Sequence, residues 1–393
     1  MLVEVTSKED IKAFLKFPVG LYKEDKNWVR PLDKDIEEVF DQKKNKFFRH
    51  GEATRWILKN DSGKVVGRVA AFINRKSMKE NNSQGQQLVV GGMGFFESIE
   101  DKEIANTLFE TAANWLKERD CNTMEGPINF GERDTWWGLL VDGFDRQPNY
   151  RMPYTKPYYI GFFEEYGFQL YFKQLTFGRP VWGVKLNPKY EEKAARIARD
   201  PKYQMKYLDL KQLDKFTEDF RTIYNKAWVK HAGVGEMSSA QAQAVMKQIK
   251  PLMDPKVMYF AYYGDDPIGF FLILPELNEV LNHIHGKLNA YGIVLFLYYK
   301  LFKRFTKIVG RGFGIVPEHQ GKGVEGAIVN FSAEVVHKQI KRNYKEFEMN
   351  WIGDFNKPMV KLCSDIGSVV KTHHTYRKML DESLVFERCP DIH

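Results

Sequence analysis

The sequence predicts a mixed α+β chain of two similar halves, each a mixed, splayed β-sheet flanked by helices. Three observations carry this reading: an order of strand-like and helix-like segments that occurs twice, a pair of corresponding hairpin turns, and a glycine-rich strand-to-helix turn in the second half. At 393 residues the chain is also too long for one ordinary core.

The elements follow in order. Residues 2–6 read as a strand, and residues 8–21 have helical spacing through Ile11, Phe14 and Leu15. Residues 205–210 and 213–228 repeat this pair, with Phe216, Phe220, Ile223 and Tyr224 on one helical face. A hairpin is expected from 54–58 and 65–73 around Asp61-Ser62-Gly63, and another from 257–262 and 268–274 around Gly264-Asp265-Asp266. The turns correspond through Gly63-Lys64-Val65-Val66-Gly67 and Asp265-Asp266-Pro267-Ile268-Gly269. The first half continues as strand 88–97, helix 101–119, strand 123–127 and a helix ending near Gly167. The second continues as strand 307–316, helix 324–341, strand 346–352 and helix 357–365. Domains are expected at 1–180 and 205–393, joined by a 181–204 linker with a short helix around 190–198.

Composition fits a folded soluble protein, with 43% hydrophobic and 28% charged residues. The surplus of 59 basic over 51 acidic side chains is a mild one, compatible with an anionic cofactor, a membrane surface or RNA. Cys121, Cys363 and Cys389 are far apart, odd in number and without metal-ligand spacing, so they read as reduced thiols. No basic-then-apolar signal peptide opens the chain, and the apolar run 291–299 is too short to span a bilayer. A cytoplasmic protein is expected.

The run Val316-Pro317-Glu318-His319-Gln320-Gly321-Lys322-Gly323-Val324-Glu325-Gly326 joins a strand to a helix. Such a turn aims unpaired N–H groups at one point, where the helix dipole favours an anion. Gly321 and Gly323 would let a diphosphate approach the backbone. At these residues the chain resembles the GNAT superfamily of acyl-CoA-dependent N-acyltransferases, whose motif reads Gln/Arg-x-x-Gly-x-Gly/Ala. Gln320, Gly321 and Gly323 fit; Glu325 stands where the family has a small residue, and the next glycine, Gly326, comes one position late. The repeated element order matches the family's fold over nearly the whole chain. In the first half, Ser98-Ile99-Glu100-Asp101 replaces the glycine turn, so the resemblance puts the cofactor in the second half.

The resemblance implies acetyl-CoA or another acyl-CoA, bound by Phe313, Gly314, Ile315 and Val316 of the strand, Gln320, Gly321, Lys322, Gly323 and Val324 of the turn, and Asn356. The family's proton-donor tyrosine in Asn-x-x-Ala-x-x-Leu-Tyr-x-x-x-Gly is replaced here by Cys363, within Asn356-x-x-x-x-x-Leu362-Cys363-x-x-x-Gly367, with Tyr376 a substitute a few residues on. For both, burial in the core is the alternative reading. Glu348, opposite in direction to Phe347 and Met349, is a candidate base, or one residue of a solvated strand face.

His283 and His285 alternate, but no third ligand accompanies them, and no metal site is expected. They belong to an insertion, 275–304, that ends in an apolar run passing into basic residues. Such a run could rest on a membrane or admit a lipidic acceptor; packing between the two domains is the expected outcome. The leading function is transfer from acyl-CoA to a small-molecule, peptide or lipid amine at the domain junction. The alternatives are an aminoacyl-tRNA-dependent transferase and a non-catalytic acyl-CoA-binding protein. No DNA partner is expected, and no Lys/Arg stripe with interleaved aromatics indicates RNA.

Overall fold

The computed structural model describes residues 1–228, 235–303, 305–340 and 344–392. Arg304 and Lys341, the expected ends of the insertion and of the second half's long helix, lie outside the described residues. The first half runs β1 (Leu2–Glu4), α1 (Lys8–Leu21), α2 (Asp33–Phe40), β2 (Gly51–Lys59), β3 (Val65–Asn74), β4 (Lys79–Asn81), β5 (Gln87–Ser98), α3 (Lys102–Lys117), β6 (Thr123–Gly126), β7 (Leu139–Asp142), α4 (Tyr159–Glu165) and β8 (Gln169–Pro180). A linking helix, α5 (Lys189–Ile197), follows. The second half runs β9 (Tyr203–Tyr207), α6 (Leu213–Trp228), α7 (Ser239–Ile249), β10 (Met258–Tyr263), β11 (Asp266–Pro275), α8 (Asn278–Leu281), α9 (Ala290–Tyr298), β12 (Lys307–Ile315), α10 (Val324–Gln339), β13 (Glu346–Gly353), α11 (Lys357–Ile366) and β14 (Ser368–Met379).

Local chemistry explains the helices that frame the site. Asp101 caps α3, its carboxylate accepting from the N–H groups of Glu103 and Ile104, and Ala105, Leu108, Phe109, Ala112 and Leu116 recur at helical spacing on its buried face. Each large side chain among them contributes roughly 1.5–3 kcal/mol by leaving water. In α6, Phe216, Phe220 and Ile223 do the same against the second half's core.

The two expected sheets are fused into one, in the order β1-β2-β3-β5-β6-β14-β8-β13-β12-β11-β10-β9. The fusion is an exchange of last strands. β8, which ends the first half, pairs with β13 of the second; β14, which ends the second, pairs with β6 of the first; and β8 and β14 pair with each other. Exchange leaves neither terminal strand with a bare edge. In each half a parallel pair starts and then parts: β5 and β6 pair from Val90↔Thr123 to Gly92↔Glu125, and β12 and β13 from Lys307↔Glu346 to Gly310↔Met349. Beyond Gly310 the β13-facing backbone of β12 therefore borders a gap.

The insertion departs from expectation. Its first part does pack between the halves, where Leu281 and Ile284 meet Val29 and Leu32. That contact fills the junction, so α9 and the π-turn after it (Tyr299–Lys303) project outward, with Val294 65% and Phe302 72% exposed.

Candidate functional site

The strand-to-helix turn of the second half is fastened by Gln320, whose side-chain amide donates to the Ile315 carbonyl at 2.8 Å. Gly321 and Gly323 take φ of 71° and 99°, the left-handed region open to glycine. Gly323 is the N-cap of α10, and no side chain caps it, so the first N–H groups of α10 lack the partner that Asp101 gives α3. A Cβ on Gly321 would meet nothing within 4 Å. The turn thus opens a helix with backbone N–H groups that no side chain caps.

The linking helix changes the electrostatics of this turn. Lys193 of α5 holds the Glu325 carboxylate at 2.8 Å, and Arg196 donates to the Lys322 carbonyl at 3.0 Å. Glu325, the residue that departs from the family motif, is therefore neutralised and turned toward α5. The close approach explains the late glycine: a Cβ on Gly326 would lie 2.6 Å from Lys193. Gly323 and Val324 are buried beneath α5, whereas Gly321 and Lys322 remain exposed. An anion would reach the turn at that rim, in the field of Lys322, Lys193 and Arg196.

Phe313, Gly314 and Ile315 lie on β12 beyond the point where β13 parts from it, and Val316 donates to the Ile268 carbonyl at the strand's end. Across the gap, β13 slips its register with β8 between Met349 and Ile352, and Trp351 takes φ of 62°. The Trp351 ring packs with Phe172. Asn356 is the N-cap of α11, its side chain accepting from the Met359 N–H at 3.2 Å.

The three residues expected to carry proton transfer are not brought together. Glu348 is 1% exposed and clamped by Lys371 at 2.8 Å, Lys307 at 2.9 Å and the Asn149 amide at 2.7 Å, with Arg146 at 3.7 Å. Burial raises its carboxyl, but the two lysines outweigh burial and bring it down to about 2. A carboxylate held so firmly is a weak base, and its contacts tie β13 to the first half's 146–149 loop and to β14. Cys363 is buried in the second core, where desolvation pushes its thiol up to about 12. Tyr376 is carried by the strand exchange to the first half, opposite Gly126 and in that half's core.

Other residues line a cavity within the first half. A narrow cavity is lined by Trp28, Val29 and Arg30 of the segment before α2, by Phe95, Phe96 and Glu97 of β5, and by Trp136 and the 148–155 loop. At its wall Glu97 is buried, accepting from Tyr22 at 2.7 Å and Tyr159 at 2.9 Å, with Arg68 at 3.6 Å. Desolvation raises its carboxyl and Arg68 opposes the rise. The 148–155 loop also bears on β12, because the Tyr150 carbonyl accepts from Arg311 at 3.0 Å. The charge of Arg311 acts on Asp134 of the 129–137 loop as well. Asp134 is exposed; the protein around it raises its carboxyl above the ordinary range, and Arg311 pulls it back. Tyr224 of α6 lies near enough to Asp134 and Glu132 for burial and their charges to hold its phenol protonated.

Strand order sets Glu97 apart from β12. From β5 to β12 there are five strand spacings, β5-β6-β14-β8-β13-β12, or roughly 24 Å at about 4.8 Å each. Glu97 on β5 cannot touch a group lying in the β12–β13 gap; Asp134 feels the charge of Arg311 of β12. Neither residue stands out in sequence. Glu97 sits among acidic residues at a strand end, and Asp134 lies in a loop without a motif of its own.

No family model matches the chain. It is 25% identical over 378 residues to Protein YghO of Escherichia coli K12, covering 95% of this chain and 94% of that protein. It is 24% identical over 382 residues to a bacterial ceramide synthase of Caulobacter vibrioides, covering 96% of this chain and 97% of that protein. Among solved structures, a tandem GNAT protein from the clavulanic acid biosynthesis pathway superposes with a TM-score of 0.53 at 9% identity, over 97% of this chain and 98% of that one. A GCN5-related glucosamine N-acetyltransferase region of a fungal GH3 β-N-acetylglucosaminidase gives 0.55 at 13% identity; the match takes in 96% of this chain and 38% of that one. Two parting parallel strand pairs, one uncapped glycine turn and an end-to-end match to a tandem relative lead to one conclusion: this chain has the GNAT fold, the fold of GCN5-related N-acetyltransferases, in tandem form.

Proposed function

We propose that the chain transfers an acyl group from acyl-CoA to the amine of a long-chain lipid. The observation that carries the donor half of this reading is the uncapped, glycine-turned N-terminus of α10 beside the β12–β13 gap. The diphosphate would lie against Gly321, Lys322 and the first N–H groups of α10, and the acyl arm along residues 311–316. Bound there, acyl-CoA supplies a thioester carbon open to attack by an amine. The acceptor half rests on the full-length similarity to a bacterial ceramide synthase, since a ceramide is the amide of a long-chain amine. The mostly apolar lining of the first-half cavity agrees with such a chain.

This chain's residues then divide the work. The amine must be neutral to react, so a group near β12 must take its proton, and we assign that to Asp134, whose raised carboxyl suits a general base. Arg311 and Tyr224 hold the polar end of the cleft. Glu97, beyond reach of the reaction, fixes the cavity wall through Tyr22 and Tyr159. Glu348 keeps the two halves in register.

The test is a melting-temperature titration with acyl-CoAs of increasing chain length, followed by thiol release with a long-chain amine. Stabilisation is expected, Gly323→Asp should abolish it, and Asp134→Asn should lower kcat by roughly 10²-fold or more while leaving acyl-CoA affinity within a few-fold. No stabilisation by any acyl-CoA at millimolar concentration would reject the reading.

A further inference from the structure

We infer that residues 288–303, α9 with the π-turn that extends it, form a membrane-docking element that lies in the surface of an anionic bilayer. This inference stands on the exposure and charge of the element and does not depend on the acceptor proposed above. Tyr291, Ile293, Val294, Leu297, Leu301 and Phe302 are between 46% and 72% exposed. A single exposed leucine needs no explanation, but this many large apolar side chains in one contiguous stretch leave a patch that water disfavours. The stretch is anchored from behind: Gly292 and Tyr299 are buried, and Leu295 packs against the cluster of Val29, Leu32, Leu281 and Ile284.

The charge around the patch selects the occupant. From Val280 to Pro317 the sequence has no aspartate or glutamate, while Lys287, Lys300, Lys303, Arg304, Lys307 and Arg311 all fall within it. Lys307 and Arg311 turn inward, to Glu348 and to the Tyr150 carbonyl. Lys287 and Lys303 are exposed at the two ends of the apolar stretch, and Lys300 is half-buried, reaching the Pro251 carbonyl. A protein interface of ordinary composition carries both signs of charge at its rim. An apolar stretch whose flanking sequence carries lysines, with exposed tyrosines among its residues, matches the boundary between acyl chains and anionic headgroups. The element is also the wrong length to cross. Its sixteen residues span about 24 Å as a helix, short of a hydrocarbon core of about 30 Å, and no helix among the described residues is long and apolar enough to traverse one. It therefore lies in the plane of the surface. The turn that precedes it presses Gly286 against Arg30, which lines the first-half cavity, so docking would set that cavity beside the bilayer.

Flotation of the full chain with vesicles tests this directly. Vesicles of phosphatidylcholine with phosphatidylglycerol should carry the protein, phosphatidylcholine alone should carry at least roughly tenfold less, and salt should weaken the binding. The triple variant Val294→Asp/Leu301→Asp/Phe302→Asp should lose binding by roughly 10²-fold or more, since each buried apolar side chain accounts for about tenfold. Because these side chains already face water, the variant's melting temperature and its stabilisation by acyl-CoA should match wild type. Wild-type protein that stays unbound at millimolar anionic lipid would overturn the inference, as would a variant that binds equally well. So would a wild-type dimer that the triple variant converts to monomer without any vesicle binding, because the patch would then be covered by a second copy of the chain.

Discussion

Glu348→Gln separates a catalytic base from a structural anion at one position. In the folded protein this carboxyl is lowered from 4.5 to about 2 by Lys371 and Lys307 against the effect of burial. At about 1.36 kcal/mol per unit, that corresponds to roughly 3 kcal/mol of stability, present above pH 4.5 and lost as pH falls toward 2. Lys371 opposes it: burial lowers its ammonium from 10.5 to about 8, which costs a similar amount at neutral pH and is relieved only as pH rises from 8 to 10.5. Because the attraction between the two enters both figures, their desolvation outweighs it, as is usual for a buried pair. Neutralising one partner escapes that cancellation. The Lys371 and Lys307 side chains are only 3% and 13% exposed, and leaving them without their anion should cost about 3–5 kcal/mol. For a chain of this length, that lowers the melting temperature by about 5 °C or more. Calorimetry on Glu348→Gln and on Glu348→Leu/Lys371→Met should show the single variant destabilised and the double variant partly restored, because Lys307 still lacks its anion. The acyl-transfer rate per folded molecule, measured well below the transition, should stay within a few-fold of wild type. An unchanged melting temperature with a rate a hundredfold lower would refute this account and return Glu348 to the chemistry.

Two further perturbations probe the electrostatics. Lys193→Ala/Arg196→Ala should raise the Kd for CoA by about tenfold at low ionic strength, the difference shrinking as salt is added, because both cations overlie the α10 turn; tighter binding by the variant, read by calorimetric titration, would show instead that α5 obstructs the turn. His373 is buried, its Nε2–H donating to the Pro153 carbonyl at 3.0 Å, and desolvation lowers it from 6.5 to about 4. Its neutral form contributes fully above pH 6.5, and up to about 3 kcal/mol is lost as pH falls toward 4. His373→Gln should therefore flatten the melting temperature between pH 6.5 and 4; identical slopes in the two proteins would count against it.

The local code of this chain was legible, and its long-range assembly was not. Spacing alone places α3 and α6, because Leu108, Phe109 and Ala112, like Phe216, Phe220 and Ile223, must share a face to be buried. The turn at 316–326 was equally plain, since left-handed backbone at Gly321 and Gly323 has a residue-level signature. Strand exchange has none. β8 and β14 carry the same alternation whichever neighbour they pair with, so nothing in residues 368–379 says that Tyr376 belongs to the first half's core. The destination of Glu348 was hidden for the same reason. Its strand position was right, but its partners come from residues 146–149, 307 and 371, which only the fused sheet assembles. The exposure of α9 failed differently: a run of apolar residues announces burial, and only the filled contact between Leu281, Ile284, Val29 and Leu32 shows that no room remained.

The two halves also differ in how one helix start is answered. Each brings a strand, a parting partner strand and a helix that begins where the strands diverge. In the first half, the N–H groups at the start of α3 are answered from within by Asp101, which sits where an incoming anion would have to sit and carries its charge. In the second, Gly323 offers no side chain, and the one acid of the first turn, Glu325, is held aside by Lys193. A cap of this kind is worth about 1 kcal/mol to its helix, so the first half gains stability from the same position that the second half leaves open. The linking helix then acts on the open copy alone, because α5 crosses α10 and brings Arg196 to the Lys322 carbonyl. The asymmetry between the halves is thus local, lying in one cap residue, two glycines and one crossing helix, while the exchanged strands keep the halves bound as a single sheet.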